Sequence, residues 1–242
     1  MFSWNRFADS AREDPQVLGL ILSGSRGRGV GREDSDWDCY VITAGQAMGL
    51  DASDEDGTLD AVELTLEEFR SYALPGTSEF WNAYAFAHVH VEVDKLDGEI
   101  AALAAAKEFL SPEDATHLAR ERLDAYVNAA VRAVKSAIAG ETGAAALDTT
   151  ESVAPALDAL FAFDSRVRPF NRYLRTELER HPLGAVVEAR SIVDALVAAA
   201  SGDAAATRES YGLMASSART AGFGDVLDEW GDHLLLLRGR ST

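Results

Sequence analysis

Two short stretches of this 242-residue chain, Ser23-Gly24-Ser25 and Asp36-Trp37-Asp38, combine residue types and spacing that suit one chemistry. Transfer of a phosphoryl-type group needs donors that cradle a polyphosphate and carboxylates that hold a divalent cation. A glycine lets the backbone approach phosphate oxygens, and the Ser25 hydroxyl adds a donor. A helix opening at this turn would aim further N–H groups at the anion. Arg26, next in line, offers a planar fork suited to phosphate. Asp36 and Asp38, spaced by two at the head of an apolar run, project from one face of a strand and can share metal ions. Gly24, Ser25 and Arg26 are therefore the candidate nucleotide-binding residues, and Asp36 and Asp38 the candidate Mg²⁺ ligands. Singly, each fragment is common, because glycine turns abound and Asp-x-Asp at a strand edge is usually solvated surface. Competing phosphate motifs fail: the chain has no Gly-x4-Gly-Lys-Ser/Thr, and Gly27, Gly29 and Gly31 do not fit a dinucleotide fingerprint.

Several elements must position these residues. Val17–Leu22 is a short apolar run ending at the Ser-Gly-Ser turn, which reads as a buried strand. Trp37–Ile42 is a second strand with the aspartates at its start. Asp51–Asp60, acidic and containing Gly57, reads as a solvated loop, and Val62–Leu66 as a third strand running into a helix at Glu67-Glu68-Phe69. Ala87–Leu96 alternates, with Val89, Val91 and Val93 on one face and His88, His90, Glu92 and Asp94 on the other. Without further His or Cys nearby, the two histidines read as a surface or core pair rather than a metal site.

Beyond that the pattern is helical. Ser111-Pro112-Glu113-Asp114 is a helix start, with a Ser cap, Pro at the first position and acids in the first turn. Apolar residues then recur at helical spacing as far as Gly140. Further helices are expected at 152–163, 169–180, 185–200, 204–220 and 225–237. The expected architecture is an α/β domain with a short mixed sheet over residues 1–105, followed by an all-α helical bundle over residues 106–242.

The whole order is an apolar strand, Gly-Ser, eleven residues to the first aspartate, then Asp-apolar-Asp entering another apolar strand. It resembles the signature of the DNA polymerase β-type nucleotidyltransferase superfamily. The two-part layout is similar to that of antibiotic (aminoglycoside-type) nucleotidyltransferases, and Leu123–Asn128 and Arg166–Leu174 resemble segments of uncharacterised actinobacterial members. The motif covers about 20 residues within Gly19–Ile42, and the weaker similarity most of the chain. The resemblance implies a nucleotidyltransferase fold, ATP or another NTP as donor on Gly24 and Ser25, and two Mg²⁺ ions on Asp36 and Asp38. It implies transfer of a nucleoside monophosphate to the hydroxyl of a small acceptor held between the domains, with release of pyrophosphate.

Members usually carry a third carboxylate on a later strand. Glu63 in Val62-Glu63-Leu64 fits the apolar-acid-apolar form, and Glu92 and Asp94 fit it by spacing equally well. Glu63 is preferred because neighbouring strands are often consecutive in the chain, which would leave Ala87–Leu96 as the next strand out. Arg168, with Arg166 and Arg172 around Pro169, could close over the nucleotide from the second domain, although such arginines more often tie helices together. Two other functions remain open: AMP transfer to a protein side chain, and a nucleotide-binding regulatory protein without turnover.

Charge narrows the partners. The formal net charge is −18, and residues 1–105 hold 7 basic and 20 acidic side chains, a net of −13. That field repels nucleic-acid backbones and attracts cations, whether metals or a cationic acceptor. Cys39 is the only cysteine, which excludes an internal disulfide and a cysteine-based zinc site. No apolar run reaches membrane-spanning length, and Met1–Asp14 lacks a signal-peptide pattern, so a cytoplasmic protein with no membrane partner is the expectation.

Overall fold

The computed structural model of the chain describes residues 2–45, 58–186, 188–200 and 203–239. The chain divides into two compact units, Met1–Phe109 and Leu110–Thr242. Among the described residues no helix is long and apolar enough to cross a membrane.

The first unit runs α1 (Trp4–Glu13), β1 (Val17–Leu22), α2 (Gly24–Gly27), β2 (Trp37–Thr43), β3 (Leu59–Thr65), α3 (Leu66–Ser71), a 3₁₀ segment (Phe80–Phe86), β4 (His90–Asp94) and α4 (Glu99–Glu108). The strands form one mixed sheet in the order β3-β2-β1-β4. β2 and β3 are parallel, and β1 is antiparallel to both β2 and β4. Most of the expected loop Asp51–Asp60 lies outside the described residues, but its end does not: β3 begins at Leu59, so Asp60 is a strand residue.

One topological expectation fails. β4 does not lie beyond β3; it pairs with β1 at the opposite edge. The reason is what the chain must cover on the way. Between β3 and β4 it crosses one sheet face and buries Phe69 and Phe86 completely there. Each such burial stabilises by roughly 2–3 kcal/mol as an upper figure.

Alternation assigns the two faces. Trp37, Cys39 and Val41 of β2 turn toward α1 and pack with Trp4, Ala8, Leu20 and Leu22. Asp38, Tyr40 and Ile42 take the other face. There Tyr40 stacks on Phe86 with ring centroids 4.7 Å apart. Asn82 Nδ2 donates to the hydroxyls of Tyr40 and Tyr72 at 2.8 and 2.9 Å, so both of its amide protons are used. α3 starts on a capping box: Thr65 Oγ1 accepts from the Glu68 amide, and Glu68 Oε2 accepts from the Thr65 amide.

The second unit holds α5 (Pro112–Ile138), α6 (Thr142–Ala162), α7 (Leu174–Arg180), α8 (Ala189–Ala199), α9 (Ala204–Thr220), α10 (Gly224–Asp228) and α11 (Leu234–Leu237), and no strand among its described residues. Ser111 caps α5, its Oγ accepting from the Asp114 amide at 3.1 Å. α6 starts ten residues before the expected 152 and carries Pro155 inside it. Packing against α5 outweighs the weak local propensity there. The Tyr126 and Ser210 hydroxyls, 3.1 Å apart, join α5 to α9.

Candidate active site

β1 delivers the chain to the Ser23–Gly27 turn. The Ser23 amide donates to the Asp38 carbonyl at 2.8 Å, joining the turn to the head of β2. Its hydroxyl donates to the Ala85 carbonyl at 2.6 Å, and Arg28 Nη2 donates to the Tyr84 carbonyl at 2.8 Å. The 3₁₀ segment is thereby fastened against the turn. Gly24 has φ +58°, a left-handed conformation, and a Cβ there would stand 1.8 Å from Asp38 Oδ2. The missing side chain is what lets the carboxylate lie against the turn, so the two sequence fragments form one construction. Ser25 Oγ is buried and has no hydrogen-bond partner among the described residues. Leaving such a group unmet costs about 1–3 kcal/mol, a cost that a bound anion would remove.

Asp38 is half-buried, while Asp36 and Asp60 are exposed. Asp38 and Asp60 are register partners in a parallel pair, so their side chains share a sheet face. Burial, then the charge of Asp36, then that of Asp60, hold the Asp38 carboxyl above its ordinary range. Carboxylates such as these are hard oxygen donors of the kind that Mg²⁺ prefers. They form an open set rather than a closed cage: among the described residues no group of three or more His, Cys, Asp or Glu is arranged to hold a metal ion as it stands. The donor chemistry, the Gly24 cradle and the unmet Ser25 hydroxyl fit a Mg²⁺–triphosphate.

The preferred third carboxylate is elsewhere. Glu63 pairs in register with Val41, which faces α1, so Glu63 is on the opposite face from Asp38. Neither alternative replaces it. Glu92 is ion-paired with Arg12 of α1, again on the far face. Asp94 pairs with Gly19, at the other end of the strands, and accepts from the amides of Leu96 (3.0 Å) and Ala101 (3.1 Å). The carboxylate beside the pair is Asp60, which the sequence reading left in a loop. Its signal is Leu59-Asp60-Ala61, itself apolar-acid-apolar, but it follows directly on an acidic run, and aspartate is disfavoured in strands.

The Arg26 side chain turns to its own loop. Its Nε donates to the Ser35 carbonyl (3.0 Å) and the Asp36 carbonyl (3.1 Å), and its Nη2 to Glu33 and Ser35. The guanidinium carbon lies 4.0 Å from the Trp37 ring centroid. Arg26 therefore shapes the loop that carries Asp36.

Arg168 pairs with Asp158 at 2.5 Å and donates to Asn171 at 2.7 Å, and Arg166 pairs with Glu177 and donates to the His181 carbonyl. Both join segments of the helical unit. His88 lies before β4 at φ +56° and meets Glu108, while His90 meets Glu92, so the two histidines do not converge. Cys39 is in the core, and burial first, then the charges of Asp38 and Asp60, push its thiol up to about 12. The chain matches no protein-family model and no curated protein at a significant level.

Proposed function

We propose that the chain is a Mg²⁺-dependent nucleotidyltransferase that moves a nucleoside monophosphate, AMP from ATP foremost, to a hydroxyl of a small acceptor. The observation that carries this reading is the fit of Gly24 to Asp38, with Asp60 across the register and Ser25 Oγ left unmet beside it. Gly24 and Ser25 receive the triphosphate, the Ser25 hydroxyl donating to a phosphate oxygen. Asp36, Asp38 and Asp60 would hold Mg²⁺, which when bound offsets triphosphate charge and makes the acceptor hydroxyl easier to deprotonate. The acceptor oxygen attacks the α-phosphorus in line, the bond to the bridging α–β oxygen breaks, and pyrophosphate departs. Asp60, exposed on the shared face, takes the acceptor proton. The −13 charge of residues 1–105 favours a cationic acceptor by raising its local concentration.

The test is pyrophosphate release with each NTP across a panel of aminoglycosides and neutral polyols, with an Asp38→Asn control. Acceptor-dependent release that the control loses is expected. Saturable ATP binding without release for any acceptor would instead leave a nucleotide-binding module.

A further inference from the structure

The helical unit contains a basic feature, remote in sequence from residues 23–60. Along α9, Arg208, Tyr211, Ala215 and Arg219 recur at spacings of three and four and so lie on one helix face. They line a cleft of about 570 Å³ whose other wall is Leu237, Arg238 and Gly239.

Three observations distinguish this cleft from ordinary surface. Arg208 Nε donates to the Leu236 carbonyl at 3.0 Å, which holds the guanidinium at the cleft, and among the described residues Arg208 is in no ion pair. Arg238 is exposed, lies beside the Tyr211 hydroxyl and likewise has no ion-pair partner among the described residues. Tyr211 is only 3% exposed, and its buried hydroxyl lies within reach of the Arg238 guanidinium, with no closer hydrogen-bond partner among the described residues. Arg219 is neutralised by Asp228 at 2.6 Å and serves as a wall.

Asp228 lies near Arg238 and Glu209 lines the cleft, but among the described residues neither Arg208 nor Arg238 is within ion-pair distance of a carboxylate, so both guanidinium forks are open to an anion. The Tyr211 hydroxyl beside Arg238 keeps its own proton to donate and adds a third donor. We propose that this cleft binds a phosphate monoester, Arg208 and Arg238 gripping the phosphate oxygens and the Tyr211 hydroxyl donating to one of them. Arginine forks suit phosphate, and the volume accommodates a metabolite of nucleotide size rather than a bare ion. The site is independent of the transferase reading.

The probe is inorganic phosphate, titrated against the full chain in metal-free buffer and followed by thermal melting, with acetate at equal ionic strength as the comparison. A ligand that binds only the folded state raises Tm with concentration. Phosphate is expected to raise Tm and acetate not. Arg238→Gln, a change at an exposed side chain, should weaken apparent phosphate affinity by about tenfold, and Tyr211→Phe by about threefold. The Arg208→Gln/Arg238→Gln pair should abolish the response. A wild-type Tm indifferent to phosphate, an equal shift with acetate, or a full response in Arg238→Gln would each overturn the assignment. Ser25→Ala should leave the phosphate response intact, which separates this site from the turn at residue 24.

Discussion

A Cβ at position 24 would lie 1.8 Å from Asp38 Oδ2, so residue 24 cannot take a side chain while the Asp38 carboxylate stays where it is. Gly24→Ala must displace the carboxylate and also hold alanine at φ +58°, and should cost about 2 kcal/mol or more. In an Asp38→Ala background the carboxylate clash is gone, leaving the backbone part, about 1 kcal/mol, and a tight 3.1 Å approach to the residue-38 Cβ. Urea denaturation of the four proteins measures the difference as a coupling of about 1 kcal/mol. Equal costs in both backgrounds would show that the contact has no energetic weight.

The register of β3 separates two neighbouring acids. Asp60→Asn should lower pyrophosphate release by about 100-fold or more, while Glu63→Gln stays within about threefold. The reverse ranking would move the third carboxylate to the α1 face. Metal-free stability gives a second readout. Asp38 is held above its ordinary 3.8, so the folded chain binds its proton more tightly than the unfolded chain. This group therefore adds stability as pH falls through its folded-state value toward 3.8, and Asp60→Asn should shrink that gain.

On the proposed reading, Arg26 supports Asp36 through the loop, because its guanidinium is held by the carbonyls of Ser35 and Asp36. Arg26→Ala should reduce kcat by about tenfold or more while leaving the KM for ATP within about threefold, the signature of a positioning residue. A rise in KM with unchanged kcat would return Arg26 to the phosphate.

Lys107 is 1% exposed, with Nζ 4.4 Å from the Phe69 ring centroid and no hydrogen-bond partner among the described residues. Burial lowers its pKa from 10.5 to about 8. Below pH 8 both states are protonated and the folded state bears the whole cost of a buried charge. Between pH 8 and 10.5 the folded chain loses the proton first, so stability from this group rises with pH. Lys107→Met should stabilise the protein by roughly 1–3 kcal/mol at pH 7, with an advantage that narrows above pH 8. A constant advantage across that window would place the ammonium in contact with water.

Much of the frame was legible in the chain itself. The apolar run Val17–Leu22 is β1 to the residue, and Ser111-Pro112 marks the start of α5, because burial and capping act on a few adjacent side chains. The pairing of the Ser-Gly-Ser turn with Asp36 and Asp38 was legible for the same reason: a turn, a strand and a spacing of two are local facts. Helix lengths were less so. α6 runs through Pro155 because contacts with α5, not its own propensity, maintain it.

Tertiary structure decided which acids meet. Glu63, Glu92 and Asp94 satisfy the same local pattern as Asp60, yet a strand residue's neighbours depend on register and on which face the pleat gives it. Parallel pairing of β2 with β3 sets Asp60 across from Asp38 and turns Glu63 to α1. The crossing that buries Phe69 and Phe86 carries β4 to the other edge. Arg26 could reach a phosphate or its own loop equally well from sequence; the carbonyls of Ser35 and Asp36 claimed it because the folded loop brings them within 3.0 and 3.1 Å. Charge count and spacing name the chemistry that a chain can attempt, whereas backbone pairing selects the side chains that stand close enough to share it.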